Sequence, residues 1–291
     1  MKIAVLMTCH NRREKTLACL ASLMKQKLPK SIPQSDAQSH ANGTNELINE
    51  GIVISMEVYL VDDGSTDGTA EAAREIMPDI HIIKGDGHLY WCGGMRLAWS
   101  CALENQPDYY LLLNDDTTLV DNTIDELLRL APSPDASVIA VAPIADPDTG
   151  EIVFGGHIGF DPKPAFPHGQ VVQCDTMNAN CTLIPRAVYL KIGMLHGAYT
   201  HAMGDFDYGF MASRAGIKII QAARVLGTCK PNPSTGTWRD RNLGRLERYK
   251  LLWSSKKGLP FSEWLEYCRR NYGRNWPIKA VSPTIRILLG R

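Results

Sequence analysis

Two adjacent carboxylates follow a run of leucines in the segment LLLNDDTTL, which covers residues 111–119. Asp115 and Asp116 come directly after Asn114, at the end of this apolar run. Neighbouring carboxylates raise each other's pKa values unless a cation or several hydrogen-bond donors compensate their charge. Carboxylate oxygens are the ligands that Mg²⁺ and Mn²⁺ prefer, so the pair predicts a divalent-cation site. The alternative is that Asp115 or Asp116 caps the next helix.

A second carboxylate pair, Asp62 and Asp63, begins the segment DDGSTDGT at residues 62–69. Its oxygens can accept hydrogen bonds from the N–H of a pyrimidine base or from the hydroxyls of a ribose. A cation held by Asp115 and Asp116 would neutralise the phosphates of the same nucleotide and stabilise a departing diphosphate. The two pairs together predict a site for a nucleoside diphosphate.

These groups need a fold that positions them, and the chain alternates apolar runs with helical patterns. Four strands are predicted, each followed by a helical segment, at residues 2–7, 56–61, 80–84 and 109–113. This alternation is typical of βαβ units and predicts an α/β fold with a mostly parallel central sheet. Ser65 or Thr66 is the predicted cap of the second helix. Residues 29–45 show no periodicity, which predicts a mobile insertion.

A polar segment follows each of the four predicted strands. These segments are TCHNR (8–12), DDGSTD (62–67), GDGHLYWCGG (85–94) and NDD (114–116). The carboxyl ends of parallel strands meet at one edge of a sheet, where loops and helix N-termini expose backbone N–H groups. We therefore expect the four segments to form one ligand site.

The alternation fades after residue 143, where the pattern predicts antiparallel strands. A helix is predicted to begin near Pro185, a second to cover residues 204–216, and a strand to follow at 218–223. The last segment has an apolar stripe at helical spacing, formed by Phe261, Leu265, Cys268, Tyr272 and Trp276. Core packing is the favoured interpretation of this stripe.

The overall charge is zero, but it is unevenly distributed along the 291 residues. Residues 231–291 contain 13 Lys and Arg against 4 Asp and Glu, a net charge of +9, which leaves −9 for residues 1–230. An acidic body with a basic tail suits a protein that holds a metal in one part and contacts an anionic surface with the other. A solvated basic helical surface is the alternative.

The eight cysteines form no CxxC pair and no Cys/His metal spacing, and no secretory signal precedes the first apolar run. These features predict reduced thiols in a cytoplasmic protein. No apolar run approaches the ~20 residues that a membrane-spanning helix requires.

The motifs resemble those of the family 2 inverting glycosyltransferases, whose glycosyltransferase A fold has a Rossmann-like, mostly parallel sheet flanked by helices. The matching segments are TCHNR, VDDGSTDGT, LLLNDD and GDFDYGFMASRAG, within roughly residues 1–228. The resemblance implies a nucleotide-sugar-binding catalytic domain over residues 1–230, followed by a basic helical C-terminal extension over 231–291. The stretch GDGHLYWCGGMRLAW further resembles the rhamnosyltransferase subset of the family.

The resemblance also implies residue roles. Asp116 would ligate Mg²⁺ or Mn²⁺ with Asp115 beside it, and Asp205 would be the catalytic base that takes a proton from the acceptor hydroxyl. Asp207 is the alternative base, or a carboxylate placed by the helix dipole. The expected donor-binding residues are Thr8, His10, Asn11, Arg12, Asp62, Asp63, Asp86, Trp91, Gly93, Gly94, Arg96, Asn114, Asp115 and Lys230.

Three positions depart from the family pattern. Asn114 replaces the first carboxylate of the metal motif, and Gly204 stands where a Glu precedes the base. Cys229 and Lys230 occupy the place where many relatives have a metal-binding His, which suggests that Lys230 neutralises the diphosphate directly.

The expected partners are a nucleoside-diphosphate sugar and a glycan or lipid-linked glycan acceptor, with no nucleic acid. Arg269, Arg270 and Arg274, with Lys256 and Lys257, are expected to contact an anionic membrane at the inner face of the plasma membrane. A homodimer interface is the other interpretation of these residues. The rival functions are a nucleotidyltransferase, whose Gly-rich loop is absent from TCHNRREK, and a non-catalytic sugar-nucleotide-binding subunit.

Overall fold

The computed structural model describes residues 1–27, 53–160, 163–254 and 258–290. The insertion expected at residues 29–45, and the pair Lys256 and Lys257, lie outside the described residues. In chain order the strands and helices are β1 (Lys2–Cys9), α1 (Arg13–Met24), β2 (Ser55–Asp62), α2 (Thr69–Ile76), β3 (His81–Lys84), α3 (Tyr90–Ala102), β4 (Tyr109–Leu113), β5 (Thr118–Leu119), α4 (Thr123–Leu130), β6 (Val138–Val141), β7 (Ile144–Ala145), β8 (Ile152–Phe154), β9 (Gly156–His157), β10 (Val172–Cys174), β11 (Thr176–Met177), β12 (Cys181–Pro185), α5 (Arg186–Ile192), α6 (Gly204–Arg214), β13 (Lys218–Gln221), β14 (Gly227–Thr228), α7 (Arg245–Leu252), α8 (Phe261–Asn271) and α9 (Trp276–Leu288).

Eight strands form the central sheet, in the order β10–β13–β6–β12–β4–β1–β2–β3. The strands β3, β2, β1 and β4 are parallel, with Val5 opposite both Val58 and Leu111. Strand β12 runs antiparallel to β4 and to β6, and β13 is parallel to β6. Two smaller sheets have the orders β5–β14–β7–β8 and β11–β9. The mixed α/β architecture, with a large central sheet flanked by helices, is confirmed.

Successive residues of the central strands enter two different cores, one on each face of the sheet. In β1, Val5 and Met7 pack with α1, α2 and α4, whereas Ala4 and Leu6 pack with α3, α5 and α6. Strand β4 divides in the same way, with Leu111 on the first face and Leu112 on the second. Because both faces are covered by helices, a continuous apolar run is needed in each strand.

Three local predictions are wrong. The pattern predicts a loop over GDGHLYWCGG and a helix only from Met95, but α3 begins at Tyr90, so Trp91 to Gly94 are helical. Helix α2 is preceded by Asp67, whose Oδ1 accepts a hydrogen bond from the Thr69 N–H at 3.1 Å, so neither expected residue caps it. The single stripe expected at residues 261–276 is divided between α8 and α9 by a 3₁₀ turn at Gly273–Asn275.

The aspartates after β4 do not cap a helix. The NDD motif leads into the short strand β5, and α4 begins only at Thr123. The capping alternative for Asp115 and Asp116 is therefore wrong, and their position needs another explanation.

The C-terminal helices make two separate contacts. Tyr267 of α8 packs with Tyr199 and Phe210, at the helix that carries Asp205. Leu252 of α7 and Ile287 of α9 pack together against Trp238. Among the helices described, none combines the length and the apolar character needed to cross a membrane.

Candidate active site

The loops after β1 and β2 are joined by hydrogen bonds. The Asn11 side chain accepts the backbone N–H of Thr66 at 2.8 Å, and the Asn11 N–H donates to Ser65 Oγ at 3.0 Å. His10 Nδ1 lies 2.7 Å from the carbonyl oxygen of Asp63. The two polar segments, which are about 50 residues apart in the chain, therefore form one edge of the site, as expected for the carboxyl ends of adjacent parallel strands.

Asp63, which is expected to contact a nucleoside, has a structural role in the loop that follows β3. Its carboxylate accepts the backbone N–H groups of Gly87 at 2.8 Å, Tyr90 at 2.9 Å and Leu89 at 3.3 Å. The residue is only 3% exposed. Asp63 thus fixes the loop between β3 and α3. Asp62 is half-buried, and one of its oxygens accepts the Ser65 N–H at 2.9 Å.

Arg12 compensates the aspartate pair that follows β4. Its Nη1 lies 2.8 Å from Asp116 Oδ2 and 3.3 Å from Asp115 Oδ1. Lys15, one turn along α1, places its Nζ 3.8 Å from the same Asp116 oxygen. Thr16 donates its hydroxyl to Asp115 Oδ2 at 3.3 Å. The start of α1 therefore supplies two cations and a hydroxyl to the pair.

The compensation is incomplete. Burial raises the pKa of Asp115 to about 6; Arg12 opposes this rise and the charge of Asp116 adds to it. On the other side of the pair, Cys229 donates its thiol to Asp116 Oδ1, with a sulfur–oxygen distance of 3.4 Å. Burial and Asp116 raise the pKa of Cys229 to about 12, which keeps the thiol protonated. Two carboxylates that burial makes costly to ionise are suited to a further cation, which would stabilise their charged form.

This donor set fits a divalent cation that takes only two of its ligands from the protein. Mg²⁺ and its analogues often use only one or two protein carboxylates, with waters and substrate phosphates completing the coordination. Asp116 and Asp115 are such carboxylates. Within the residues that the structure describes, no cluster of three or more His, Cys, Asp and Glu side chains forms a complete protein cage.

Asn114, which stands where the family pattern has a metal-binding carboxylate, has hydrogen-bond partners within the protein. Its Oδ1 accepts the indole N–H of Trp91 at 2.7 Å, and its backbone N–H donates to the Asn180 carbonyl at 2.9 Å. An amide oxygen provides the neutral acceptor that an indole donor needs in a half-buried place. The amide that replaces a carboxylate at position 114 is therefore matched to the indole N–H of Trp91.

Asp205 is the second residue of α6 and remains half-buried. Its Oδ1 accepts the Phe206 N–H at 2.9 Å and its Oδ2 accepts the Ala179 N–H at 3.3 Å. Burial raises its pKa above the usual aspartate value, and these two N–H groups oppose the rise. Because Ala179 adjoins Asn180, one short segment connects Asp205 with Asn114 of the NDD motif.

Asp207, the alternative base, has hydrogen-bond partners on α8. Its carboxylate is fully buried and accepts Arg270 Nε at 2.9 and 3.1 Å and Asn271 Nδ2 at 2.8 Å. Every oxygen of Asp207 is thus committed to α8. The same contact corrects the expectation for Arg270, because its guanidinium faces the protein interior rather than a membrane.

Two glycines are required by close packing. A Cβ on Gly94 would collide with the Thr8 side chain, since α3 lies directly against β1. A Cβ on Gly204 would collide with Cys92 Sγ, which explains why no Glu stands before Asp205. Gly93 and Gly94, which are expected to bind the donor, are both buried near the start of α3.

The remaining predicted residues also have protein partners. Arg96 Nη1 donates to the carbonyls of Tyr199 at 2.7 Å and His196 at 3.1 Å, and so supports the segment that leads to α6. Asp86 is exposed and accepts the His88 N–H at 2.8 Å. Lys230 forms an ion pair with Asp148 on the surface, so its predicted contact with a diphosphate would require this pair to break.

Three backbone positions at the site adopt φ values that are uncommon outside glycine. Asn11, Tyr90 and Met203 have φ of 51°, 51° and 71°. They precede α1, begin α3 and precede α6, respectively. Such conformations persist where the surrounding contacts determine them, and they cluster at ligand sites.

Several contacts around Asp205 are not predictable from local sequence. Glu263 of α8 accepts the hydroxyl of Thr200 at 2.6 Å and its N–H at 3.1 Å, beside the start of α6. The two residues are 63 positions apart, and no local motif connects them. Lys15 was detectable only as a basic residue one turn after Arg12 on a predicted helix.

Several solved structures have a similar fold. S. aureus TarS 1–349, solved with UDP, aligns with a TM-score of 0.56 at 12% identity, covering 99% of this chain and 81% of that one. The mannosyltransferase PcManGT from Pyrobaculum calidifontis, solved with GDP-Man and Mn²⁺, gives 0.55 at 14% identity, covering 99% and 74%. GalNAc-T7, solved with UDP, GalNAc and Mn²⁺, gives 0.58 at 13% identity, and this chain spans 56% of its length. At these identities the likeness shows the fold alone.

A search of curated proteins by sequence finds no match. The family model described as "Glycosyl transferase family 2" matches residues 4–191, which include every strand-end motif from TCHNR to NDD. The fold and this match together confirm the resemblance at the level of the family. The chain belongs to glycosyl transferase family 2.

Proposed function

We propose that this family 2 glycosyltransferase inverts the anomeric configuration of the sugar that it transfers, with Asp205 as the general base. The observation that carries the proposal is the contrast between two carboxylates on α6. The carboxylate of Asp207 accepts hydrogen bonds from Arg270 and Asn271. Asp205 is half-buried and accepts two backbone N–H groups, which do not cancel the rise in its pKa that burial causes. A base with a raised pKa accepts a proton more readily at neutral pH.

The donor is a nucleoside-diphosphate sugar. Family membership supports this, as do the neighbours solved with UDP, UDP-GlcNAc and GDP-Man. Asp62 is half-buried and accepts one N–H group, whereas Asp63 is buried and accepts three, so Asp62 is the better placed of the two for the nucleoside. Rhamnose is the proposed sugar on the resemblance of GDGHLYWCGGMRLAW alone, and a hydroxyl of a glycan or lipid-linked glycan is the proposed acceptor.

Asp116 and Asp115 would hold Mg²⁺ or Mn²⁺ together with the donor phosphates. The neighbours PcManGT and GalNAc-T7, both solved with Mn²⁺, support a divalent cation. When bound, the cation supplies charge that stabilises the leaving diphosphate. Arg12 and Lys15 already place positive charge at the same carboxylates, so the start of α1 orients the pair and contributes to the positive field around the phosphates.

In the proposed reaction Asp205 accepts the proton of the acceptor hydroxyl as that oxygen attacks the anomeric carbon. The bond between that carbon and the diphosphate oxygen breaks, and the nucleoside diphosphate leaves from the opposite face. The Phe206 and Ala179 N–H groups hold the carboxylate in one orientation for this transfer. Arg96 and Glu263 fix the segment between residues 196 and 200, which precedes α6. The residues around Asp205 therefore position one proton acceptor rather than two.

The test has two steps on the purified chain. Thermal shift with UDP-, dTDP- and GDP-sugars, with and without Mn²⁺, identifies the donor, because a ligand of the folded state raises its stability. Turnover with that donor is then measured for Asp205→Asn, which should keep the thermal shift and lose about 10²-fold or more in kcat. A full turnover in Asp205→Asn would overturn the assignment of the base. Donor binding without transfer or hydrolysis under any condition would favour a non-catalytic subunit.

A further inference from the structure

A cavity of about 380 Å³ lies among the C-terminal helices, far along the chain from the motifs described above. Its lining consists of one aromatic side chain and four arginines: Trp238, Arg239, Arg241, Arg248 and Arg286. Arginine is the residue best suited to bind phosphate, because its planar guanidinium presents several N–H donors in a fixed geometry. A cavity with this lining is suited to a phosphate-bearing anion.

The cavity is built by specific contacts. Arg248 is 4% exposed, and its Nε donates to the Trp238 carbonyl at 2.9 Å. The guanidinium of Arg239 lies over the Trp238 ring, 5.1 Å from its centroid. Trp238 itself is fixed by packing against Leu252 and Ile287. Trp238 and Arg248 are therefore held in place by packing and by a hydrogen bond, and they line the cavity together with the other three arginines.

Three of the four arginines in the cavity lack a carboxylate partner. Among the described residues, no carboxylate forms an ion pair with Arg239, Arg241 or Arg286. Asp240 accepts the backbone N–H groups of Gly236 and Asn242, at 2.8 and 3.0 Å, and the nearby charge of Arg248 helps to lower its pKa. Partial burial and the charge of Arg286 lower the pKa of Arg239. Bound anionic groups would offset this repulsion.

Helix α9, which contributes Arg286, also has an uncovered apolar face. Its members are between 47% and 70% exposed, and they are Ile278, Val281, Ile285, Leu288 and the next residue, Leu289. Their spacing places them on one side of the helix, opposite the buried Ala280, Pro283 and Ile287. Lys279 and Arg286 are seven residues apart and therefore lie along one flank of this face. An apolar helix face flanked by cations is typical of helices that lie in a membrane interface.

We propose that the C-terminal helices dock on an anionic phospholipid surface, with the apolar face of α9 at the interface and lipid phosphate in the arginine cavity. The complementary charge of the cavity and the adjacent apolar face are what favour a lipid over a soluble partner. This partner lies beyond the transfer reaction proposed above and does not depend on it. In this proposal the cations that contact the membrane are Arg241 and Arg286. Arg270, which the sequence predicts to do so, faces the protein interior.

The test is co-sedimentation of the full chain with phosphatidylcholine vesicles that contain or lack phosphatidylglycerol, at low and high salt. The wild-type chain should bind only the anionic vesicles and bind less at high salt. Arg241→Gln/Arg286→Gln should weaken binding about tenfold or more, since each cation near an anionic surface contributes substantially. The matched control is Arg269→Gln/Arg274→Gln, which removes the same charge from exposed positions outside the cavity and should weaken binding less than about threefold.

The apolar face is tested with Ile285→Ser/Leu288→Ser, which should also lose vesicle binding, against Val171→Ser/Leu190→Ser at exposed positions elsewhere. Thermal unfolding of each variant verifies that all of them fold, and the donor-induced thermal shift should be unchanged in all of them. Equal recovery with neutral and anionic vesicles, or an equal loss in the two arginine pairs, would overturn the proposal.

Two further outcomes identify other occupants and would also overturn it. A thermal shift with inorganic phosphate that is lost in Arg241→Gln/Arg286→Gln, without any vesicle binding, would assign the cavity to a free anion. A dimer in analytical ultracentrifugation that Ile285→Ser/Leu288→Ser dissociates, again without vesicle binding, would assign the apolar face to a second copy of the chain.

Discussion

Nε of Arg270, in helix α8, donates to both carboxylate oxygens of the fully buried Asp207, at 2.9 and 3.1 Å. Asp207 lies two residues after Asp205 on α6, so this contact joins the C-terminal part of the chain to the helix that carries the proposed base. Glu263 adds a second connection from α8 to Thr200, just before α6. The C-terminal helices are therefore part of what positions the active site.

Removing the cation from this buried pair should destabilise the fold. Arg270→Met leaves Asp207 buried without its charged partner, and we expect a loss of about 3–5 kcal/mol in the free energy of unfolding. Urea denaturation measures the loss. Arg269→Gln, at the exposed neighbouring position, is the control and should change stability by less than about 0.5 kcal/mol. Equal stability of Arg270→Met and the wild type would contradict a structural role for the pair.

The same substitution at two positions of α6 should have opposite effects on stability. The folded-state pKa of Asp205 is raised, so its carboxylate costs stability above that pKa, and the cost disappears as the pH falls below the unfolded pKa of about 4. Asp205→Asn should therefore raise the melting temperature at pH 7.5 and lose this gain near pH 4, whereas Asp207→Asn, which weakens the pair with Arg270, should lower it at pH 7.5. Thermal unfolding across this pH range measures both, and a lowered melting temperature in Asp205→Asn at pH 7.5 would contradict the burial cost.

Turnover should fall at low pH, where Asp205 becomes protonated. Asp205 acts as a base only when deprotonated, so kcat should fall as the pH drops through its raised pKa, above the range of an ordinary aspartate. A pH–rate profile with the donor identified by thermal shift measures the acid limb. An acid limb at the ordinary aspartate pKa of about 4 would contradict the environment described for this carboxylate.

Arg12 and a divalent cation should compete for Asp116. Arg12→Gln removes the closer cation, so Mn²⁺ alone should raise the melting temperature of this variant more than that of the wild type. Asp116→Ala should abolish the Mn²⁺ effect, weaken donor binding in the presence of Mn²⁺ and prevent transfer. Arg13→Gln, at an exposed position of the same turn, is the control and should respond to Mn²⁺ as the wild type does. Wild-type donor affinity and turnover in Asp116→Ala would remove the metal assignment.

The contact between Gly204 and Cys92 predicts a double-mutant coupling. Gly204→Ala places a Cβ against Cys92 Sγ and should cost about 1–3 kcal/mol through overpacking. Cys92→Ala removes the sulfur, so the combination should be more stable than the sum of the two single effects. Denaturation of the four proteins in the cycle measures the coupling. Strict additivity would show that the space at Gly204 is not limited by Cys92.

Much of the fold followed from local patterns. The apolar runs of β1, β2, β3 and β4 and their helical connections predicted a parallel sheet, because a strand covered on both faces requires a continuous apolar run. The strand-end motifs predicted that TCHNR and DDGSTD meet, and Asn11 and Ser65 do so. Element ends were less well predicted, since the start of α3 at Tyr90 depends on the hydrogen bonds that Asp63 accepts from distant backbone.

The sequence by itself determined the family, the α/β architecture and the set of carboxylates from which the site is drawn, because these depend on periodicity and on motifs of adjacent residues. Only the tertiary structure decided which of those carboxylates remain available. Asp63 is engaged by the β3–α3 loop and Asp207 by Arg270, whereas Asp116 pairs with Arg12 from 104 residues away and Asp205 stays half-buried. A hydrogen-bond partner so distant in the chain leaves no local pattern, since it is chosen by the packing of α1 and α8 against the sheet and α6 rather than by the neighbouring sequence.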